Sequence, residues 1–302
     1  MENVLKVLLG ALLMQVVVVY AYPVVEVGDV KSPALVMNKT CSTEITGEVD
    51  ARCGNRHCAI QLSDDVFNTD DINRLKVIIS KGMETRKPID GGPTILDINT
   101  GYIRDSNGLV NLFVDSNNLF TAEDFTHYGN IIRKLKNQVE IAFGISSLYF
   151  TAPTFITQLK GNSSWTPSEI HDEYWHPHAD QLNTPHYHYS GLLYLSTYNA
   201  DFNGGRLVFL KNKHNYNTPV KESDIELIVE PKIGRLAIFT SGEEHYHYVE
   251  KLTSGQRLVL SFWFTCNPSR EFEIFLDGSS HVAFSNKIRD KISSTKPKNK
   301  EL

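Results

Sequence analysis

Seven of the eleven histidines in this 302-residue chain fall in two windows, His171 to His188 and His245 to His247. The first window contains Trp175-His176-Pro177-His178-Ala179-Asp180. In His178-x-Asp180 both side chains fall on one face of a strand or turn, because side-chain direction repeats every two residues. Two ligands on one face do not close a metal site, so a third must come from another strand. His247, 67 residues after Asp180, supplies it. Two imidazoles and one carboxylate hold one face of an octahedron and leave three positions open, the donor set of non-haem ferrous iron. Four protein ligands would close the site, as in structural zinc. A bidentate 2-oxo acid can take two of the open positions and dioxygen the last.

Such a co-substrate carries a distal carboxylate, which needs a cation inside the fold. Arg257 lies ten residues after His247, across the Ser254-Gly255 turn. Its planar fork suits bidentate carboxylate binding. Strand alternation puts Arg257, Val259, Ser261 and Trp263 on one face and Leu258, Leu260, Phe262 and Phe264 on the other. An Arg inside so apolar a strand is costly without a partner; the alternative is a surface Arg at a strand start. His176, His186, His188 and His245 are competing ligands on paper. With His245 the basic residue falls twelve positions on, and His176 has no carboxylate two residues on. His176-x-His178 and His186-x-His188 also lack the following Glu of a cupin site. His57, His127, His171, His214 and His281 read as surface or structural residues.

The elements that position these residues are legible in part. Ile72, Leu75, Ile78 and Ile79 recur at helical spacing over Asp70–Glu84, and Pro88 to Pro93 breaks the chain after it. A second helix runs from Thr121 to Phe143, with Thr121 and Asp124 as a capping box and Gly144 as its stop. Its Phe125, Tyr128, Ile132, Leu135, Val139 and Ala142 form one stripe for packing on a sheet. From about Leu148, β-branched and aromatic runs alternate with turns. Strands are expected near Tyr149–Leu159, Tyr187–Tyr198, Gly205–Leu210, Ile225–Val229, Arg235–Thr240, His245–Lys251 and Arg257–Thr265. That many short strands with close turns indicate a jelly roll, so the fold class is α+β with N-terminal supporting helices.

The rest of the chain sets the context. Val7 to Ala21 is apolar except for Gln15 and follows a charged start, which reads as a signal peptide or a signal anchor over residues 1–21. Both place the remainder in the secretory lumen, the endoplasmic reticulum or outside the cell; an anchor would make a single-pass type II membrane protein. Asn38 and Asn162 open glycosylation sequons. Cys41, Cys53, Cys58 and Cys266 form an even set, which in an oxidising compartment suits two disulfides with three pairings open. Residues 26–60 read as irregular. With 30 basic and 35 acidic side chains, the chain lacks the footprint of a nucleic-acid binder. The resulting division is 22–69 as a Cys-containing irregular segment, 70–147 as a helical support, 148–270 as the core and 271–302 as a charged tail.

These motifs together resemble the prolyl 4-hydroxylase-like 2-oxoglutarate oxygenases. The similar stretches are His178-Ala179-Asp180, Asp201-Phe202-Asn203-Gly204-Gly205-Arg206-Leu207, Pro231-Lys232-Ile233-Gly234-Arg235-Leu236, His247-Tyr248-Val249-Glu250-Lys251 and Arg257. Within that family the chain is most similar to an animal, membrane-anchored group named for its 2-oxoglutarate and iron-dependent oxygenase domain. His171-Asp172-Glu173-Tyr174-Trp175-His176, Leu192-Leu193-Tyr194-Leu195-Ser196 and Phe264-Thr265-Cys266-Asn267-Pro268 carry that similarity. The resemblance covers about residues 90–270. It implies a double-stranded β-helix with Fe(II) on His178, Asp180 and His247, and 2-oxoglutarate on Arg257. Tyr194 resembles the tyrosine that binds the distal carboxylate in the hypoxia-sensing prolyl hydroxylases. The implied reaction consumes dioxygen, releases succinate and carbon dioxide, hydroxylates a protein or peptide, and draws on L-ascorbate as reductant. The chain departs from collagen-type prolyl hydroxylases, which have Lys where Arg257 stands and carry a separate peptide-binding domain. A lumenal binding module of the same fold without turnover, or a zinc hydrolase on the same ligands, is the rival reading. The intact ligand set together with Arg257 argues against both.

Overall fold

Apolar alternation along the chain's last long strand organises the molecule. In the computed structural model Leu258, Leu260, Phe262 and Phe264 point to one side and are buried, while Arg257, Val259, Ser261 and Trp263 line a cavity on the other. The structure describes residues 22–42, 53, 57–84, 86–112, 119–151, 154–167, 173–215 and 218–271. The apolar N-terminal run, His171, His281 and the expected tail from residue 272 lie outside them.

In chain order the elements are β1 (Val24–Val25), β2 (Leu35–Lys39), β3 (Cys58–Ser63), α1 (Thr69–Met83), β4 (Pro93–Asp97), β5 (Tyr102–Asp105), β6 (Gly108–Asn111) and α2 (Ala122–Phe143). They continue as β7 (Tyr149–Phe150), β8 (Phe155–Lys160), α3 (Asp180–Asn183), β9 (Tyr189–Tyr194), β10 (Phe202–Asn203), β11 (Leu207–Leu210), β12 (Ile225–Val229), β13 (Leu236–Thr240), β14 (His247–Val249) and β15 (Ser254–Thr265). A large sheet runs β2-β3-β13-β9-β15-β8-β4-β5-β6, and a smaller one runs β1-β12-β11-β14. Between them lies a core of Leu62, Tyr194, Leu207, Phe209, Leu227, Phe239 and Val259. This is the expected jelly roll. The large sheet's outer face is covered by α1 and α2 through Ile72, Leu75, Tyr128, Ile132, Leu135 and Val139. Among the described residues no helix is long and apolar enough to cross a membrane.

Both helices begin where their caps dictate. Asn68 accepts from the Asp71 amide and Thr121 from the Asp124 amide, each with the reciprocal bond of a capping box. Gly144 ends α2 in the left-handed conformation at φ 64°. Gly191 serves a different purpose: a Cβ there would sit 2.1 Å from the ring of Phe262, so only glycine lets β9 and β15 approach this closely.

Three expectations change. The region expected as a helical support, 70–147, is not helical throughout but also holds β4, β5 and β6, which extend the large sheet from β8. Residues 26–60 are not wholly irregular, because β2 lies there and β3 starts there. All six β3 residues are buried, so the strand shows none of the alternation by which a half-exposed strand is recognised. The run expected as one strand over Tyr149–Leu159 is two, β7 and β8, both paired with β15.

The open disulfide question resolves as Cys41–Cys58 and Cys53–Cys266. The second spans 213 residues and ties the N-terminal segment to the residue after β15. On chain-entropy grounds a cross-link over so long a loop contributes roughly 5 kcal/mol.

Arg235 fastens the N-terminal arm. It is fully buried and binds both carboxylate oxygens of Asp64 at 2.8 and 3.0 Å. Its remaining N–H groups donate to the carbonyls of Glu230, Glu26, Val25 and Asp29. Asp64 loses solvation by burial, yet these bonds hold its pKa below the usual carboxylate value. Arg235→Ala is expected to cost about 3–5 kcal/mol by removing the bidentate charge partner of Asp64 and the side-chain donor to four carbonyls, read as a shift in the urea unfolding midpoint.

Candidate active site

His178 and His247 face each other across a short backbone bridge. The His178 amide donates to the His247 carbonyl at 2.9 Å, and the His247 amide returns the bond at 2.8 Å. Their rings lie 4.6 Å apart, centre to centre. Asp180 enters from the first residue of α3, with its Oδ1 3.5 Å from His178 Nε2. One ligand atom from each of the three residues falls within 4.8 Å of the other two, a spread that one metal ion can span. The spacing in sequence thus corresponds to a single site in space. His176, the expected competitor nearest to it, lines the same cavity but contributes no atom to this cluster.

Each histidine is oriented from behind. His178 Nδ1 meets the His176 carbonyl at 3.0 Å, and His247 Nδ1 meets the His245 carbonyl at 2.9 Å. A carbonyl can only accept, so Nδ1 carries the proton and Nε2 offers its lone pair to the centre. His245 contributes no atom to this cluster; its Nδ1 bonds to Thr240 and its ring packs near Phe209 and Phe239. His188 is likewise committed elsewhere, accepting at Nδ1 from the Cys266 amide beside the disulfide.

The electrostatics favour a cation. Burial and the neighbouring His178 depress the His247 pKa to about 4, so its imidazole is neutral at pH 7. Burial opposes charge on His178 as well, but the Asp180 carboxylate outweighs it and raises the pKa above 6.5. Asp180 would be raised by its burial; His178, His247 and Ser190 outweigh that and hold it ionised.

The site opens into a cavity of about 610 Å³. Arg257 projects into it from β15, fully buried, with Nε and Nη2 lacking any hydrogen-bond partner. Burial lowers its pKa, but not to the point of neutrality for a guanidinium. The Tyr194 ring lies 5.4 Å from the guanidinium carbon, and its buried hydroxyl is also without a partner. Leaving three polar groups of this kind unmatched is expensive, and a ligand carboxylate would satisfy all of them. The orphaned atoms and the 2-His-1-carboxylate set together fit ferrous iron and a 2-oxo dicarboxylic acid. The walls between the two are apolar: Leu192, Leu207, Phe239, Val249 and Val259.

Comparison with known proteins agrees. The sequence model of the 2OG-Fe(II) oxygenase superfamily matches residues 167–265. The 2-oxoglutarate and iron-dependent oxygenase domain-containing protein 3 of Mus musculus is 37% identical over 227 residues, covering 73% of this chain and 67% of the mouse protein. The chain belongs to the 2OG-Fe(II) oxygenase superfamily. This oxygenase is also similar to prolyl 3-hydroxylase 2 of Gallus gallus, at 33% identity over 163 residues, covering 48% of the chain and 21% of that protein. A solved prolyl hydroxylase from Trichoplax adhaerens, in complex with a hypoxia inducible factor peptide, aligns at 14% identity and a TM-score of 0.46 over 70% of the chain and 85% of its own.

Some residues of the oxygenase site have no sequence signal. Tyr174 lines the cavity and its hydroxyl accepts from the Leu252 amide, which fixes the loop before His178. Tyr187 stacks on Trp263 at 5.2 Å, and Phe155 meets the same indole edge-on at 5.7 Å. Only Trp263 was foreseeable, from its register with Arg257. His178 must lose its proton to bind a metal. Below its raised pKa, metal therefore competes with a proton, and affinity falls as pH drops. Calorimetry in buffers of different ionisation heat is expected to show weaker Mn(II) uptake at pH 6 than at pH 7.5, with more proton release at the lower pH.

Proposed function

We propose that the chain is a working Fe(II)- and 2-oxoglutarate-dependent hydroxylase acting on an uncharged side chain of a polypeptide in the secretory pathway. His178, Asp180 and His247 hold the iron, and Arg257 with Tyr194 holds the distal carboxylate of 2-oxoglutarate. The single observation that carries the reading is the pairing of an open three-ligand cluster with an orphaned, fully buried Arg257 in the same cavity. A zinc hydrolase has no use for that arginine.

When bound, the iron and 2-oxoglutarate together supply the oxidation: dioxygen is reduced, the co-substrate leaves as succinate and carbon dioxide, and one oxygen atom enters a C–H bond. The residues do the rest. Arg257 places the co-substrate by a charge-assisted fork, worth about 1.5–3 kcal/mol per hydrogen bond. The neutral Nε2 atoms of His178 and His247, with an oxygen of Asp180, would hold the iron and leave positions open for the co-substrate and dioxygen. Leu192, Leu207, Val249 and Val259 keep water from the space where the reaction runs.

The mouth supports an uncharged target. Among the described residues lining the cavity, Asp180 is the only carboxylate and Arg257 the only Lys or Arg, and both have assigned partners in this reading. Ile95, Phe155, Leu182, Tyr187 and Trp263 give the cavity apolar and aromatic surface that suits a proline-like or aliphatic group, beside the uncharged polar side chains of Thr157, Asn183 and Thr184. The similar prolyl 3-hydroxylase supports the same class. The two disulfides support a secretory location, as do the N-terminal apolar run and the sequons at Asn38 and Asn162. Ascorbate belongs to this reading as the reductant.

Anaerobic titration of the protein with Fe(II) and then 2-oxoglutarate is expected to produce a visible metal-to-ligand charge-transfer band, which His247→Ala abolishes. Arg257→Ala is expected to leave iron binding intact and to weaken 2-oxoglutarate at least tenfold. A folded, iron-loaded protein that shows no band would point to a binding module without turnover.

A further inference from the structure

We infer that Ser190 is a positioning residue that restricts Asp180 to ligation through a single oxygen, with Ser241 holding Ser190 in place. The inference rests on the iron reading above and concerns how that site keeps its open positions.

The two Asp180 oxygens are in different surroundings. Oδ1 is the one beside His178 Nε2, at 3.5 Å. Oδ2 accepts a 2.6 Å hydrogen bond from the Ser190 hydroxyl. A carboxylate accepts and cannot donate, so the Ser190 proton is committed to Oδ2. The Ser190 oxygen lies 2.7 Å from the Ser241 oxygen, and since its proton is spent, Ser241 must be the donor there. The chain of donors runs one way, from Ser241 to Ser190 to Asp180. Both serines are buried, 2% and 1% exposed, so no bulk water replaces either bond.

The relay is anchored at its far end by backbone bonds. The Ser241 amide donates to the His188 carbonyl at 3.0 Å, and its carbonyl accepts from the Gln181 amide at 3.0 Å. Ser241 therefore touches the strand that carries Ser190 and the residue after Asp180 at once. It follows β13, on the path to His247. Asp180 is thus tied through hydroxyls to the segment after β13 that leads to His247, beside the direct His178–His247 backbone bridge.

The consequence concerns coordination number. A carboxylate held at Oδ2 by a short hydrogen bond in a buried site gains little by turning that oxygen to the metal. Freed of Ser190, Oδ2 would compete for a position that the 2-oxo acid needs. Loss of Ser190 should weaken metal binding, because the hydrogen bond that orients the carboxylate is gone, and should weaken the step after it wherever the freed Oδ2 occupies a position the co-substrate needs.

The test compares Ser190→Ala, Ser190→Thr and Ser241→Ala with wild type, by calorimetry with Mn(II) alone and by the charge-transfer titration with Fe(II) and 2-oxoglutarate. Ser190→Ala is expected to weaken Mn(II) about 10–100-fold, the usual effect of removing a ligand's hydrogen-bond partner, and to weaken 2-oxoglutarate at saturating metal. Its metal-free melting temperature should fall, because Asp180 Oδ2 and Ser241 lose a buried partner, so affinities are compared at a temperature where both proteins are folded. Ser190→Thr, which keeps the hydroxyl, should recover most of the loss. Wild-type Mn(II) affinity in Ser190→Ala overturns the inference, as does an affinity loss that Ser190→Thr fails to reverse while folding normally. If Ser190→Ala does not fold, Ser241→Ala decides: weakened Mn(II) binding supports the relay and unchanged binding overturns it. A wild-type protein that binds no metal at all would instead sink the iron reading.

Discussion

The reciprocal backbone bonds between His178 and His247 are the constraint that the rest of the structure serves. They join a loop residue to the first residue of β14, at the edge of the small sheet. Without them the two histidine windows have no reason to meet. With them, both imidazoles hang from a common piece of backbone and their separation is set by strand geometry rather than by side-chain freedom. Asp180, two residues on, then has little choice of where to point. A site built on paired backbone is more precise than one built on side chains alone, and precision is what an open coordination sphere demands.

Burying this much charge needs compensation at every point. Asp180 is offset by two imidazoles and a serine hydroxyl, and Arg235 by Asp64 and four carbonyls. Arg257 differs: it is just as buried, but its Nε and Nη2 have no partner. An unmatched buried guanidinium subtracts from stability, and a protein that carries one holds part of its ligand's binding energy in reserve. Arg235 and Arg257, both on strands of the large sheet or at their edge, thus differ in hydrogen-bond satisfaction: the first is matched within the protein, and the second has donors left for the ligand proposed above.

The N-terminal segment also belongs to the core. β1 pairs with β12 in the small sheet and β3 with β13 in the large one, so residues before the helices complete both layers. Arg235 and the Cys53–Cys266 disulfide secure these additions. The result is a long-range topology in which the site's ligands are bracketed by elements from both ends of the chain.

By itself the sequence determined the candidate ligand set and the local elements. The types and spacing of His178, Asp180, His247 and Arg257 are one-dimensional signals, because strand periodicity and metal-ligand stoichiometry need no tertiary information. The caps of α2 and the face of β15 are local in the same way. Tertiary structure decided what depends on distant pairing. It chose one of three disulfide pairings, made strands of β3 to β6 where buried or turn-rich sequence hid them, and brought Ser190 and Ser241 behind Asp180. A serine in an apolar strand has no periodic signature. Its role exists only once the chain has folded a carboxylate to within 2.6 Å of it.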